Sequence, residues 1–229
     1  MIRDIFFDLD GTLFDFKKSE KIALSKTLDI FNTSYSDEMI NRYSKINEEE
    51  WAKLEKGETT KAELQINRYA RFFDEYNIPL SPEKVNAQFK ELLHNGHHLI
   101  DGAQDVLNIL KEKNYRLYIA TNGTATIQIS RLKKAGVYNL FDDIFISEEL
   151  GFNKPDKRFF EESFKRIDDF NKESAIMVGD RLTSDIKGAV DANIKSIYYN
   201  PTGKKFDIDV TPTFEIADIF DIIKIVESL

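Results

Sequence analysis

A chain of 229 residues with a net charge of −8 and no cysteine has room for one large domain or for a core with a smaller insert. It excludes disulfide frameworks, cysteine zinc sites and thiol catalysis. The acidic balance argues against a nucleic-acid duplex or an anionic membrane as main partner, since both attract basic patches. Small anions stay open, because a local pocket can be positive inside an acidic protein.

The hydrophobic fraction of 41%, with 18 Phe and 9 Tyr, supplies a core. The apolar run at the start is too short for a signal or membrane segment and acids interrupt it, so the expectation is a cytoplasmic protein. Residues 3–7 read as a short buried strand ending at Asp8, and the chain then turns through Gly11. From 17 to 94 it is charged and helical in period. Leu24, Leu28 and Phe31 share one face, as do Met39, Ile40 and Tyr43. Thr60 and Glu63 make a capping box ahead of a helix that stops near Asn77. Ser81-Pro82 places an N-cap before a proline at the first helical position, and Asn95-Gly96 ends that helix.

Beyond residue 100 strands and helices alternate. Strands are expected at 115–121, 144–147, 175–179 and 195–198, with helices between them. That alternation predicts an open parallel α/β sheet interrupted, just after its first strand, by an all-helical insertion. Ligands gather at the carboxyl ends of such strands, and four ends carry polar residues. Asp8-Leu9-Asp10 follows the first strand and Thr121-Asn122-Gly123 the second. Lys154-Pro155-Asp156 lies beyond the third, and Gly179-Asp180, with Asp185 five residues on, follows the fourth.

A carboxylate is a competent nucleophile toward phosphorus, but it needs charge cancellation to approach a phosphate dianion. Mg²⁺ supplies this. Asp8 and Asp180 are the candidate ligands, with the backbone carbonyl of Asp10, and Asp185 orients the metal's waters or joins the set. Asp8 is the candidate nucleophile and Asp10 the candidate acid, then base. Lys154 is placed to neutralise the phosphoryl oxygens, and Thr121 and Asn122 to hold them. Taken singly, each motif also reads as a turn or a solvated surface residue. The three histidines His94, His97 and His98 read as linker rather than metal ligands. Trp51 reads either as a stacking platform for a base or as packing.

Asp8-Leu9-Asp10-Gly11-Thr12, Thr121-Asn122-Gly123, Lys154-Pro155-Asp156 and the segment from Gly179 to Asp185, in that order, resemble the four motifs of the haloacid dehalogenase (HAD) superfamily. The resemblance implies a Rossmann-like core at 1–16 and 97–229 with a mobile helical cap at 17–96, hinged near 15–17 and 95–100. Asn47 to Trp51, Leu64-Gln65, Ile119 to Asn122 with Gly123, Ile146 to Gly151 and Met177 to Asp180 resemble its bacterial pyrimidine 5′-nucleotidase branch. This implies a Mg²⁺-dependent phosphatase whose partner is a small phosphomonoester, a nucleotide above all, and leaves monomer and dimer open. Haloacid dehalogenases proper lack the second aspartate of the first motif, so Asp10 argues against that activity. Phosphoglycolate or sugar-phosphate hydrolysis, a β-phosphoglucomutase, and an inactive phosphate-binding or regulatory module are the competing readings.

Overall fold

The computed structural model describes residues 1–205 and 208–229. The chain divides into two compact units, Phe16–His98 on one side and Met1–Asp15 with Leu99–Leu229 on the other. Strand β1 (Asp4–Phe7) is followed by α1 (Phe16–Ile30), α2 (Asp37–Glu55), α3 (Lys61–Tyr76) and α4 (Pro82–Leu93), which form the first of these units. Then come α5 (Ala103–Glu112), β2 (Arg116–Thr121), α6 (Ala125–Lys134), β3 (Asp143–Ile146), α7 (Ser147–Leu150) and α8 (Lys157–Lys165). The chain continues through β4 (Ala175–Gly179), α9 (Lys187–Asp191), β5 (Lys195–Tyr199), β6 (Phe214–Ile216) and α10 (Asp221–Ser228). No helix among the described residues is long and apolar enough to cross a membrane.

The strands lie in the order β3-β2-β1-β4-β5-β6 and every neighbouring pair is parallel. Side chains alternate between the two faces of a strand, and the central strands β1, β2 and β4 are apolar on both. Ile5 and Phe7 of β1, Leu117 and Ile119 of β2, and Ile176 and Val178 of β4 pack with Val106 and Leu107 of α5 and Ile222 and Val226 of α10. Phe6, Tyr118, Ala120 and Met177 face the other way, against Phe159, Phe160 and Phe164 of α8. Helices therefore cover both faces, as a parallel sheet requires, and the unit that holds the sheet has the expected open α/β architecture of Rossmann type. Because β1 has β2 on one side and β4 on the other, the strand order reverses at its end. A crevice opens at such a reversal.

The helical unit has an aromatic centre in which Tyr43 stacks on Tyr69 at 5.2 Å and packs edge-on to Phe72. A chain of buried polar groups runs beside it, drawing from all four helices. Glu20 of α1 accepts from Ser44 and Asn47 of α2. Arg68 of α3 donates to Asn47 and to Asn86 of α4, each at 3.0 Å, and lies over the rings of Tyr69 and Phe89. Burial pushes the Glu20 carboxyl above its ordinary range, while Ser44, Arg68 and Asn47 oppose the shift.

The expected caps are present. Thr60 and Glu63 form the reciprocal capping box, Asn77 ends α3 in the left-handed conformation, and Ser81 caps α4. Ser147, expected in a strand, opens α7 instead. The helix expected over 185–192 starts earlier, as a single π-turn at Leu182–Ile186 that leads into α9. The expected elements stop at residue 198, whereas β6 and α10 follow.

Trp51, the only tryptophan, lies on α2, so its fluorescence reports unfolding of the helical unit. In urea titrations read by that signal, Thr60→Ala should cost about 1 kcal/mol, the usual value of a cap. Arg68→Leu should cost about 3 kcal/mol or more, because it leaves two buried amide oxygens, of Asn47 and Asn86, without their donor and removes the cation that opposes the effect of burial on Glu20. Similar losses for the two variants would show that the Glu20–Arg68 chain carries no special weight.

Candidate active site

The site grows from a turn that β1 forces on the chain. The N–H of Asp8 still pairs with the carbonyl of Val178 in β4. One residue later the backbone curls, and the N–H groups of Leu13 and Phe14 both bond to the carbonyl of Leu9. Gly11 sits in this turn at φ +96°, which side-chain-bearing residues rarely adopt. A Cβ there would also fall 2.2 Å from a carboxylate oxygen of Asp180. Glycine is therefore required twice over: for the turn, and to let the loop after β4 approach it.

Asp8, Asp180 and Asp185 form one cluster whose oxygens come within 4.8 Å of one another. Lys154 is 1% exposed, and its ammonium donates to Asp8 Oδ1 at 2.7 Å, to Asp185 Oδ1 at 2.6 Å and to the carbonyl of Ala120 in β2. Asp185 Oδ2 accepts from the Arg181 N–H at 3.0 Å. Asp180 accepts from the Thr12 hydroxyl at 3.4 Å.

Asn122 uses its side-chain amide on Lys154. Its Oδ1 accepts from the Lys154 N–H at 2.8 Å and its Nδ2 donates to the Lys154 carbonyl at 2.9 Å. It thereby fixes the backbone of the lysine. Thr121 lies within reach of the same loops, 2% exposed. The Asp10 side chain stands apart from the carboxylate cluster. Its oxygens are held by Arg131 at 2.6 Å and Gln128 at 2.8 Å. Sequence reasoning missed both of these residues, which lie three positions apart on α6. His97 bonds to the carbonyl of Asn95 and its ring lies parallel to that of His98. Among the described residues, the carboxylate trio is the one group that gathers candidate metal ligands, and no histidine joins it. Trp51 is half-buried on α2.

Charge sets the chemistry of the cluster. Burial raises the Asp8 carboxyl to about 7, Lys154 pulls it down, and Asp185 and Asp10 push it further up. Burial, then Asp8 and Asp185, lift Asp180 well above the carboxylate range. Burial alone would lower the Lys154 ammonium, but Asp185 and Asp8 outweigh it and hold it charged. Three carboxylates against one ammonium leave a formal charge of −2. Hard carboxylate oxygens carrying that excess suit a small divalent cation such as Mg²⁺.

The family model described as "Haloacid dehalogenase-like hydrolase" matches residues 5–199. The HAD-hydrolase YfnB of Bacillus subtilis is 35% identical, over 95% of this chain and 92% of its own. Its crystal structure, described as bound to magnesium and as revealing interdomain movement, superimposes with a TM-score of 0.94, covering 98% of both chains. The pyrimidine 5′-nucleotidase PynA of Streptococcus pneumoniae is 34% identical, over 96% of this chain and 92% of its own. The pyrimidine 5′-nucleotidase YjjG of Escherichia coli is 28% identical, over 95% of each.

Without metal, Asp8 and Asp180 keep protons in the folded protein at pH values where the unfolded chain has released them. Their contribution to stability is complete below the ordinary carboxylate value of 3.8 and is lost as pH rises through about 7 for Asp8. Metal-stripped protein should therefore lose thermal stability between about pH 5 and about pH 8. Mg²⁺ should raise the melting temperature more at the upper pH than at the lower. Melting curves in EDTA and in Mg²⁺ check this, and a gain that shrinks as pH rises would contradict it.

Proposed function

Because the chain belongs to the haloacid dehalogenase-like hydrolases, we propose that it is a Mg²⁺-dependent phosphatase that takes the phosphoryl group of a nucleoside 5′-monophosphate onto Asp8. The observation that carries this reading is the division of its acids. Asp8 shares a lysine with Asp185 inside a cluster of excess negative charge. Asp10, two residues on, is held separately by Gln128 and Arg131. Two carboxylates with different partners suit two different tasks.

In the first step a carboxylate oxygen of Asp8 attacks phosphorus, the ester P–O bond breaks, and Asp10 gives its proton to the leaving oxygen. In the second step Asp10 takes a proton from water, that water attacks phosphorus, and the bond from phosphorus to Asp8 breaks. Orthophosphate leaves and Asp8 is free again. Lys154 offsets charge on Asp8 and on the phosphoryl oxygens, and Thr121 donates to those oxygens. Asn122 serves by holding the Lys154 backbone. Asp8, Asp180, the carbonyl of Asp10 and Asp185 would hold Mg²⁺, which supplies charge cancellation between a carboxylate and a phosphate dianion.

The names of PynA and YjjG support a pyrimidine nucleotide as the substrate. A screen of nucleoside monophosphates and sugar phosphates with Mg²⁺, read by phosphate release, should rank pyrimidine 5′-monophosphates first, by about tenfold or more in kcat/KM. A sugar phosphate at the head of that ranking overturns the nucleotidase reading and leaves the phosphatase standing. Asp8→Asn should lower kcat on every substrate by roughly a thousandfold or more while the thermal melt stays cooperative. Substantial turnover by that variant removes Asp8 from its role.

A further inference from the structure

Thr121-Asn122-Gly123 leads from β2 into α6, whose buried residues include the polar pair Gln128 and Arg131 beside Ile127 and Leu132. Gln128 is 1% exposed and Arg131 is fully buried. Gln128 Nε2 donates to Asp10 Oδ2 at 2.8 Å and to Thr121 Oγ1 at 3.1 Å. Arg131 Nη1 donates to Gln128 Oε1 at 2.8 Å and to Asp10 Oδ1 at 2.6 Å. The guanidinium lies over the ring of Phe14, 4.5 Å from its centre, in the same turn that carries Asp10.

This ring of bonds allows the amide one orientation only. Turned over, its NH₂ would face the guanidinium and its oxygen would face a carboxylate. Thr121 Oγ1 also accepts from the Gly123 N–H at 3.0 Å. A hydroxyl offers two lone pairs and one proton. With both pairs taken, Thr121 has only its proton left to give.

Gly123 belongs to the same device. A Cβ on it would stand 2.2 Å from Gln128 Nε2 and 2.6 Å from the amide carbon. The amide cannot retreat without breaking its bonds to Asp10 and Thr121, so residue 123 has to be glycine for the amide to reach them.

We propose that Gln128, backed by Arg131, is a positioning residue that sets two groups through one amide. It aims the Asp10 carboxylate for proton transfer and commits Thr121 to donate to a phosphoryl oxygen. The inference rests on the phosphatase reading given above, in which Asp10 handles the proton.

Gln128→Leu removes the amide at similar volume, and Gly123→Ala displaces it while keeping Gln128. Both are compared with wild type and Asp10→Asn on p-nitrophenyl phosphate and on an alkyl phosphomonoester, with Mg²⁺ present. Nitrophenolate leaves without protonation, so a fault in Asp10 shows on the alkyl ester. Each amide variant should lose kcat/KM, which reports the step in which the leaving group departs, by about tenfold more on the alkyl ester than on the aryl one, as Asp10→Asn does. Each should also weaken inhibition by inorganic phosphate, through Thr121. In the Asp10→Asn background, Gln128→Leu should no longer widen the gap between the two substrates, because its route is already closed. If Gln128→Leu does not fold, Gly123→Ala carries the same test. A gap for Asp10→Asn with none for the amide variants overturns the proposal and leaves Asp10 in its role. No gap for Asp10→Asn either removes the acid–base reading, and the proposal with it.

Discussion

One buried ammonium ties together the carboxyl ends of four strands. Lys154 lies beyond β3, and its three acceptors are Asp8 after β1, Asp185 after β4 and a carbonyl of β2. Removing such a charge from water costs several kcal/mol, and only a full set of acceptors offsets it. The parallel sheet supplies that set because its strands all end on the same edge. The dependence also runs the other way. Without the ammonium, Asp8 and Asp185 would face each other and Asp180 unshielded, in a place where burial already works against the charged forms of Asp8 and Asp180. Asn122 clamps the lysine's backbone on both sides, so the cation is held in position and does not sample the cleft as a flexible side chain would.

Close approach is the second constraint, and it accounts for the glycines of the motifs better than turn formation alone. The turn after β1 admits the Asp180 carboxylate because Gly11 has no Cβ. The turn after β2 admits the Gln128 amide because Gly123 has none. In both places the missing atom is replaced by a polar group of the site. The glycine in the sequence thus marks where another segment's side chain must pass.

What could be read from the sequence follows from how local each signal is. β4 appears at its full extent because four apolar residues run unbroken up to Gly179. The capping box of α3 is a four-residue pattern with its own chemistry, and it is found as expected. Asp8, Asp180, Asp185 and Lys154 could be picked out because each lies at a strand end, where the sheet brings them together. Gln128 and Arg131 could not. A polar pair three apart on a helix ordinarily lies in solvent, and nothing local says that α6 turns this pair inward toward Asp10. The buried chain from Glu20 to Asn86 is hidden in the same way, since each of its links joins different helices. β6 is three residues long, too short to show alternation. α10 is eight residues long, and only Ile222 and Val226 of it are fully buried, so its periodicity is carried by one turn.

Asp8 and Asp10 show how far partners, rather than residue type, decide what a carboxylate does. They are two residues apart, and continued as a strand they would share a face. The strand ends at Phe7, the chain then curls through Gly11, and Asp10 pairs instead with Phe14 in an isolated bridge. Asp8 is left in a crowd of like charge with a single shared cation. Asp10, with 27% of its side chain exposed, faces an arginine and an amide of its own. A buried carboxylate surrounded by its own kind gains most from whatever brings positive charge to it. A partly exposed one gripped at both oxygens is held still and remains in exchange with water. The first suits the nucleophile proposed for Asp8 beside a divalent cation. The second suits the proposed role of Asp10, which has to receive and return a proton in every cycle.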